Sequence, residues 1–197
     1  MDDASIANAP HEEAGPMKGL ARRDFLKVGA GFSLALTLAA TLPGCSDSGK
    51  APAQGYAFLQ PADVELFRAI TPVVVIDLLT VDGAERDRRL GQTVRNVDAT
   101  CAGLDLFSRG ELRKLFDLLA IGPLRYALTG VGGWKDASPE TLVAFLERWR
   151  GSRFATLNSG GNVIVKLVAA GYYVQPATFA SAGYPGPLAT MYAAVNA

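Results

Sequence analysis

The side chains that most often do chemistry are scarce in this sequence. Its 197 residues hold one histidine, His11, and two cysteines, Cys45 and Cys101. A Ser-His-Asp or Cys-His arrangement needs an imidazole base, and a c-type haem attachment needs Cys-x-x-Cys-His. Structural zinc and iron–sulfur clusters need several His or Cys ligands. Two distant thiols and one histidine cannot supply the haem, zinc or iron–sulfur sites. The one imidazole, His11, lies in a segment that reads as removed on export, which leaves no base for a triad. Carboxylate chemistry remains, with two acids working as proton donor and base. Asp63, Glu65, Asp77, Glu85, Asp98, Glu111, Asp117 and Glu147 are the candidates, but Arg68, Arg88, Arg89, Arg113 and Arg148 lie close to them in sequence. That pattern reads as solvated helix faces. Gly130-Val131-Gly132-Gly133 could cradle a phosphate, yet it lacks the G-x-G-x-x-G spacing and reads as a loop. Basic and acidic residues balance at 19 each, so there is no basic field for nucleic acid. The residues point to no catalytic, cofactor-binding or metal-binding site, and to a chain that is not itself an enzyme.

Within the N-terminal fifty residues the apolar side chains concentrate in one run after a basic patch. Residues 1–17 are small and polar, with Pro10, Gly15 and Pro16, and read as disordered. Lys18, Arg22, Arg23 and Lys27 then form a basic patch broken only by Asp24. From Val28 to Leu42 no charge occurs. That length suits the apolar core of a signal peptide and falls short of the ~20 residues that span a bilayer. The positive-inside bias keeps the basic side in the cytoplasm and sends the chain after Leu42 across the membrane.

The segment Ala21-Arg22-Arg23-Asp24-Phe25-Leu26-Lys27 resembles the twin-arginine (Tat) export signal, with Ala21 where Ser or Thr is usual. The resemblance marks Arg22, Arg23, Phe25, Leu26 and Lys27 as the residues read by the Tat translocase, and implies a cargo folded before export. Leu42-Pro43-Gly44-Cys45 resembles a lipobox, with Pro43 where a small residue is typical, which marks Cys45 for lipidation. Ordinary cleavage nearby, or an uncleaved anchor, are the other readings. Residues 46–57 read as a flexible tether. The expected organisation is an export signal over 1–44, a tether over 45–57 and a helical domain over 58–197, periplasmic and membrane-anchored. Cleavage before a lipidated Cys45 removes His11 and leaves Cys101 as the only free thiol, so no intrachain disulfide can form on that reading.

The remaining pattern is helical. Pro61 suits a first helical turn, and a run from Ala62 to Leu79 carries Val64, Phe67, Ile70 and Val74 at helix spacing, with a kink expected at Pro72. Val73 to Ile76 also has strand propensity. Leu90, Val94, Val97, Cys101 and Leu104 form one face of a helix over 84–104, with Cys101 as a small core residue. Ser108-Arg109-Gly110-Glu111 reads as a capping box opening a helix with Leu112, Leu115, Phe116 and Leu119 inward. Gly122-Pro123 breaks it, and Leu124 to Leu128 adds a further helical turn. Ser138-Pro139-Glu140 caps a helix with Leu142, Phe145, Leu146 and Trp149 inward. Phe154 to Ala170 is apolar nearly all round, apart from Lys166, and is expected to end at Gly171. These segments predict an all-α bundle of five to seven helices.

After Gly171 comes a stretch of aromatics and breakers, Gly171-Tyr172-Tyr173-Val174-Gln175-Pro176, then Phe179 and Gly183-Tyr184-Pro185-Gly186-Pro187. Proline and glycine favour an extended path, and tyrosines are frequent contact residues. Trp134, Tyr172, Tyr173, Pro176, Phe179, Tyr184 and Pro185 are the candidate partner-binding residues, on a stretch that reads equally as a loop packed over the bundle.

With a Tat-like signal, a helical body opening at Phe58-Leu59-Gln60-Pro61, Gly160-Gly161-Asn162 at the late helix and the Tyr/Pro/Gly signature, the chain resembles the gluconate 2-dehydrogenase subunit 3 family. That family includes the small subunit of FAD-dependent glucose dehydrogenase. The resemblance spans roughly residues 20–190. It implies a small subunit without a redox centre, accompanying a large FAD-dependent catalytic subunit of the glucose-methanol-choline (GMC) type. The large subunit would be exported folded on the small subunit's signal and pass electrons to a cytochrome c or quinone-linked acceptor. The alternative is a stand-alone periplasmic lipoprotein acting as a binding or scaffold module.

Overall fold

The computed structural model describes residues 51–186; Arg22, Arg23, Phe25, Leu26, Lys27 and Cys45 lie outside the described residues. Helix α1 runs Pro61–Val74 and is followed by a 3-10 turn, Ile76–Thr80. Then come α2 (Gly83–Ala102), α3 (Leu106–Ala120), α4 (Gly122–Thr129), α5 (Pro139–Arg150), α6 (Ala155–Tyr173) and a last 3-10 turn, Pro176–Thr178. The described residues are all-helical, with six α-helices and no strand, as the apolar spacing predicts. Helix α6 lies against α1, α2 and α5, and its apolar surface is used on several sides.

Local signals set most boundaries. Pro61 opens α1, and the N–H of Gln60 reaches the Asp63 carboxylate at 2.8 Å. The Asp82 side chain accepts from the Glu85 N–H to start α2, and Ser138 does the same for α5 from Thr141. Gly130, at φ 75°, closes α4 in the left-handed conformation that a residue without Cβ adopts freely.

Three boundaries differ from the sequence expectation. Helix α1 stops at Val74 instead of running to Leu79: Val75 is extended (φ −116°, ψ 92°), and the apolar run ends in a 3-10 turn rather than a strand. Pro72, which lacks an amide hydrogen, weakens the last turn of α1 and lets the β-branched residues after it leave the helix. Helix α3 begins at Leu106, not at a Ser108 cap. Asp105 is the cap; its carboxylate accepts from the Ser108 N–H at 3.0 Å and the Ser108 hydroxyl at 2.7 Å. Aspartate caps as well as serine and stands first after the Gly103-Leu104 break. Helix α6 continues through Gly171 to Tyr173, so both tyrosines are helical.

Asp63, Asp98 and Glu111 are buried, contrary to their reading as solvated. Asp98 accepts the N–H groups of Ala57, Phe58 and Leu59, each at 2.8 Å. Together with a bond from the Ala53 N–H to the Leu59 carbonyl at 2.8 Å, this fastens residues 53–59, part of which was expected to be free tether. Asp63 forms a two-pronged pair with Arg113, at 2.7 and 3.0 Å, fifty positions away. Glu111 pairs with Lys114 at 2.6 Å. A buried carboxylate persists only when its oxygens are taken up by donors, and the Asp63 and Asp98 carboxylates are taken up by the fold itself.

The core is built from Phe67, Phe116, Phe145, Trp149, Ile164 and Tyr172, surrounded by aliphatic side chains from each long helix. The Trp149 indole N–H donates to the Leu128 carbonyl at 3.0 Å, which ties α5 to the end of α4. Gly160 and Gly161 lie against the Trp149 side chain: a Cβ on either would sit 3.0 Å from it. The Gly-Gly-Asn element is thus a seat for a tryptophan inside α6.

Candidate docking face

The partner-binding residues read from the sequence separate into two sets. Trp134 and Tyr172 belong to the core, 2% and 0% exposed. The Trp134 ring stands 6.0 Å from Phe145 and carries the Arg125 guanidinium at 5.6 Å on its face. Tyr172 faces inward because α6 does not stop before it, and helical spacing from Ile164 and Val168 carries it to the buried stripe. Neither can contact a partner without opening the bundle.

The second set gathers at one end. Tyr173 is 42% exposed at the end of α6, Pro176 and Pro185 are exposed, Tyr184 is half-exposed, and Phe179 is partly buried. The Phe179 and Tyr184 rings meet edge to face with centroids 5.0 Å apart, and the Tyr184 N–H donates to the Phe179 carbonyl at 2.9 Å. The segment after α6 is therefore a folded turn where an extended path was expected. Gln175 pins it: its side-chain amide donates to the Thr93 hydroxyl at 2.9 Å and the Gly171 carbonyl at 3.3 Å. Thr178 closes the turn with a bond to the Gln175 carbonyl at 2.8 Å.

Three further residues enlarge this face. Val174 is 61% exposed, and in the first 3-10 turn Ile76 and Leu79 also point outward. Both segments rest on the first turns of α2. Arg86 donates to the carbonyls of Leu78 and Leu79, and the Arg89 carbonyl receives the Gln175 amide. The Tyr173 hydroxyl is held above its ordinary pKa by desolvation and then by the Asp77 carboxylate of the first 3-10 turn. Beside them an open cavity of about 600 Å³ lies between α2 and Val174–Ala177, with Arg88, Arg89, Gln92 and Asn96 on its polar side. Glu85 pairs with both arginines, which leaves the cavity wall weakly cationic.

Sequence reasoning missed Ile76 and Leu79 because they looked like the tail of α1. The available signal was the proline four residues before Ile76.

What this arrangement can do is bind. Its exposed groups are aliphatic, aromatic and amide, with hydrogen-bonding groups at the edge, the composition of a contact surface. Among the described residues no cluster of three or more His, Cys, Asp or Glu is placed to hold a metal ion. The Gly130–Gly133 loop turns carbonyls toward Arg125, from Val131 at 3.3 Å and from Gly132, and the Val131 N–H is taken by the Thr129 hydroxyl. Cys101 is buried, and burial, with Asp98 and Asp63 nearby, pushes its thiol up to about 12. No helix of the described residues is long and apolar enough to cross a membrane. No family model, curated protein or solved structure matches the chain.

Proposed function

We propose that this chain is the non-catalytic small subunit of a periplasmic FAD-dependent dehydrogenase of the GMC type. It acts as the Tat export escort of the catalytic subunit, as its maturation and stability partner, and as its membrane tether through Cys45. The observation that carries this reading is the pairing of Arg22-Arg23-Asp24-Phe25-Leu26-Lys27 with a chain that has no histidine after His11. A folded-cargo signal on a chain so poor in catalytic side chains makes sense if the cargo includes a second, cofactor-bearing protein. FAD then belongs to that partner, which hands electrons to a cytochrome c or quinone-linked acceptor. The face formed by Tyr173, Val174, Pro176, Tyr184, Ile76 and Leu79 supports the reading by offering a contact surface on a domain whose own core is closed.

The signal itself is the place to test the escort role. Changing Arg22 and Arg23 together to Lys should leave the large subunit in the cytoplasm, detected by fractionation and by dehydrogenase activity in the periplasmic and membrane fractions. Normal export of the large subunit from the double variant would refute the escort role.

A further inference from the structure

A second apolar face lies at the opposite end of α2 from the docking face, at the α2–α3 corner. Leu106 is 84% exposed and Phe107 53% exposed. Leu106, Arg109, Arg113 and Phe116 follow one another at helical spacings of three and four, so they share one stripe of α3. The Phe58 ring lies along that stripe, 5.9 Å from the Arg109 guanidinium, 5.6 Å from that of Arg113 and 6.2 Å from the Phe116 ring. Leu106 extends the stripe one turn beyond it. The acid beside the pair, Asp105, is occupied as the cap of α3.

This corner is also where the N-terminal segment joins the body. Asp98 fixes Ala57, Phe58 and Leu59, and the bond from Ala53 to Leu59 carries the fixed region back to Ala53. From Cys45 to Ala53 the chain covers at most roughly 28 Å, even fully extended. Lipid carried on Cys45 therefore holds this corner close to the bilayer. The docking face, on the first turns of α2, lies about 20 Å further along that helix.

We infer that Leu106 and Phe107 seat in the lipid surface when the chain is anchored at Cys45, so that the body stands on its α2–α3 corner with the docking face directed away from the membrane. The inference rests on the lipid-anchor reading of Cys45. An anchor at Cys45 limits the distance of the body from the bilayer but not its orientation, and two bulky apolar side chains at the joining corner supply the contact that orients it.

The test uses the full chain, purified from the membranes of cells that make it and reconstituted into phosphatidylcholine vesicles with brominated acyl chains. Two variants are compared, Leu106→Trp and Tyr173→Trp. The native Trp134 and Trp149 are buried and give a constant background. Vesicle flotation reads anchoring, and bromine quenching reads which face meets lipid. Both variants should float, and bromine should at least halve the added emission at position 106 while leaving that at position 173 unchanged. Flotation without quenching at position 106, or equal quenching at both positions, overturns the seating and leaves the anchor standing. Failure to float removes the anchor reading, and the seating falls with it.

Discussion

Asp98 does more for this fold than its place in an ordinary-looking helix suggests. It is a buried carboxylate facing three backbone N–H groups, which join the start of the body to the end of α2. Hydrogen bonds to a charged acceptor contribute about 1.5–3 kcal/mol each, and stranded buried donors cost about 1–3 kcal/mol. Asp98→Ala should therefore lower unfolding stability by about 3 kcal/mol or more in urea titrations. Asp98→Asn, which keeps one acceptor oxygen for Phe58 and Leu59, should lose about half as much. Equal losses would mean that the negative charge, and not the acceptor oxygen that Asn retains, is what the three donors need. Cys101 gives a prediction of opposite pH sense to that of a paired carboxylate. Its neutral thiol is favoured in the fold, from an ordinary 9.0 up to about 12, by burial first and then by Asp98 and Asp63. Stability should thus fall as pH rises above about 9, with the contribution fully lost above about 12. Urea midpoints at about pH 8 and about pH 10.5 should separate more in the native chain than in Cys101→Ala.

Between helices, Gly171 lets α6 approach α2 closely. A Cβ at this position would stand 2.8 Å from the Thr93 carbonyl oxygen and 3.0 Å from a Val97 methyl. Alanine normally gains about 1 kcal/mol over glycine within a helix. Here the neighbour is backbone, which cannot rotate aside, and overpacking costs about 1–3 kcal/mol. The steric term should win, so Gly171→Ala lowers the melting temperature. At Gly110 of α3, where a Cβ would meet nothing within 4 Å, the same change should raise it. Gly171 also shows why boundaries were less legible than helices. The stripe Leu90, Val94, Val97, Cys101 and Leu104 was readable because it concerns one helix alone. Whether Gly171 ends a helix or lets two helices touch depends on α2, about seventy residues away in the chain. The burial of Tyr172 follows from that, as does the exposure of Tyr173. In the same way the Asp63–Arg113 pair spans fifty positions, and no local pattern of charges announces it. The apolar ends at Ile76 and Leu106 had a local signal, a proline in one case and an early aspartate cap in the other.

At the scale of the molecule, α2 separates two exposed apolar regions by most of its length of about 30 Å. One end carries Tyr173, Val174, Ile76 and Leu79 around the Gln175 latch; the other carries Leu106 and Phe107 where the N-terminal residues join the body. A tether that holds a larger protein near a membrane needs two such ends. The account makes the chain a companion, and purification from native membranes in mild detergent tests that most directly. The account predicts that the chain co-purifies at a fixed ratio with a much larger subunit carrying FAD, seen in its flavin absorbance and identified by mass. Recovery of the chain alone as a stable monomer, with no flavin at any ratio, would contradict it and favour a free-standing lipoprotein.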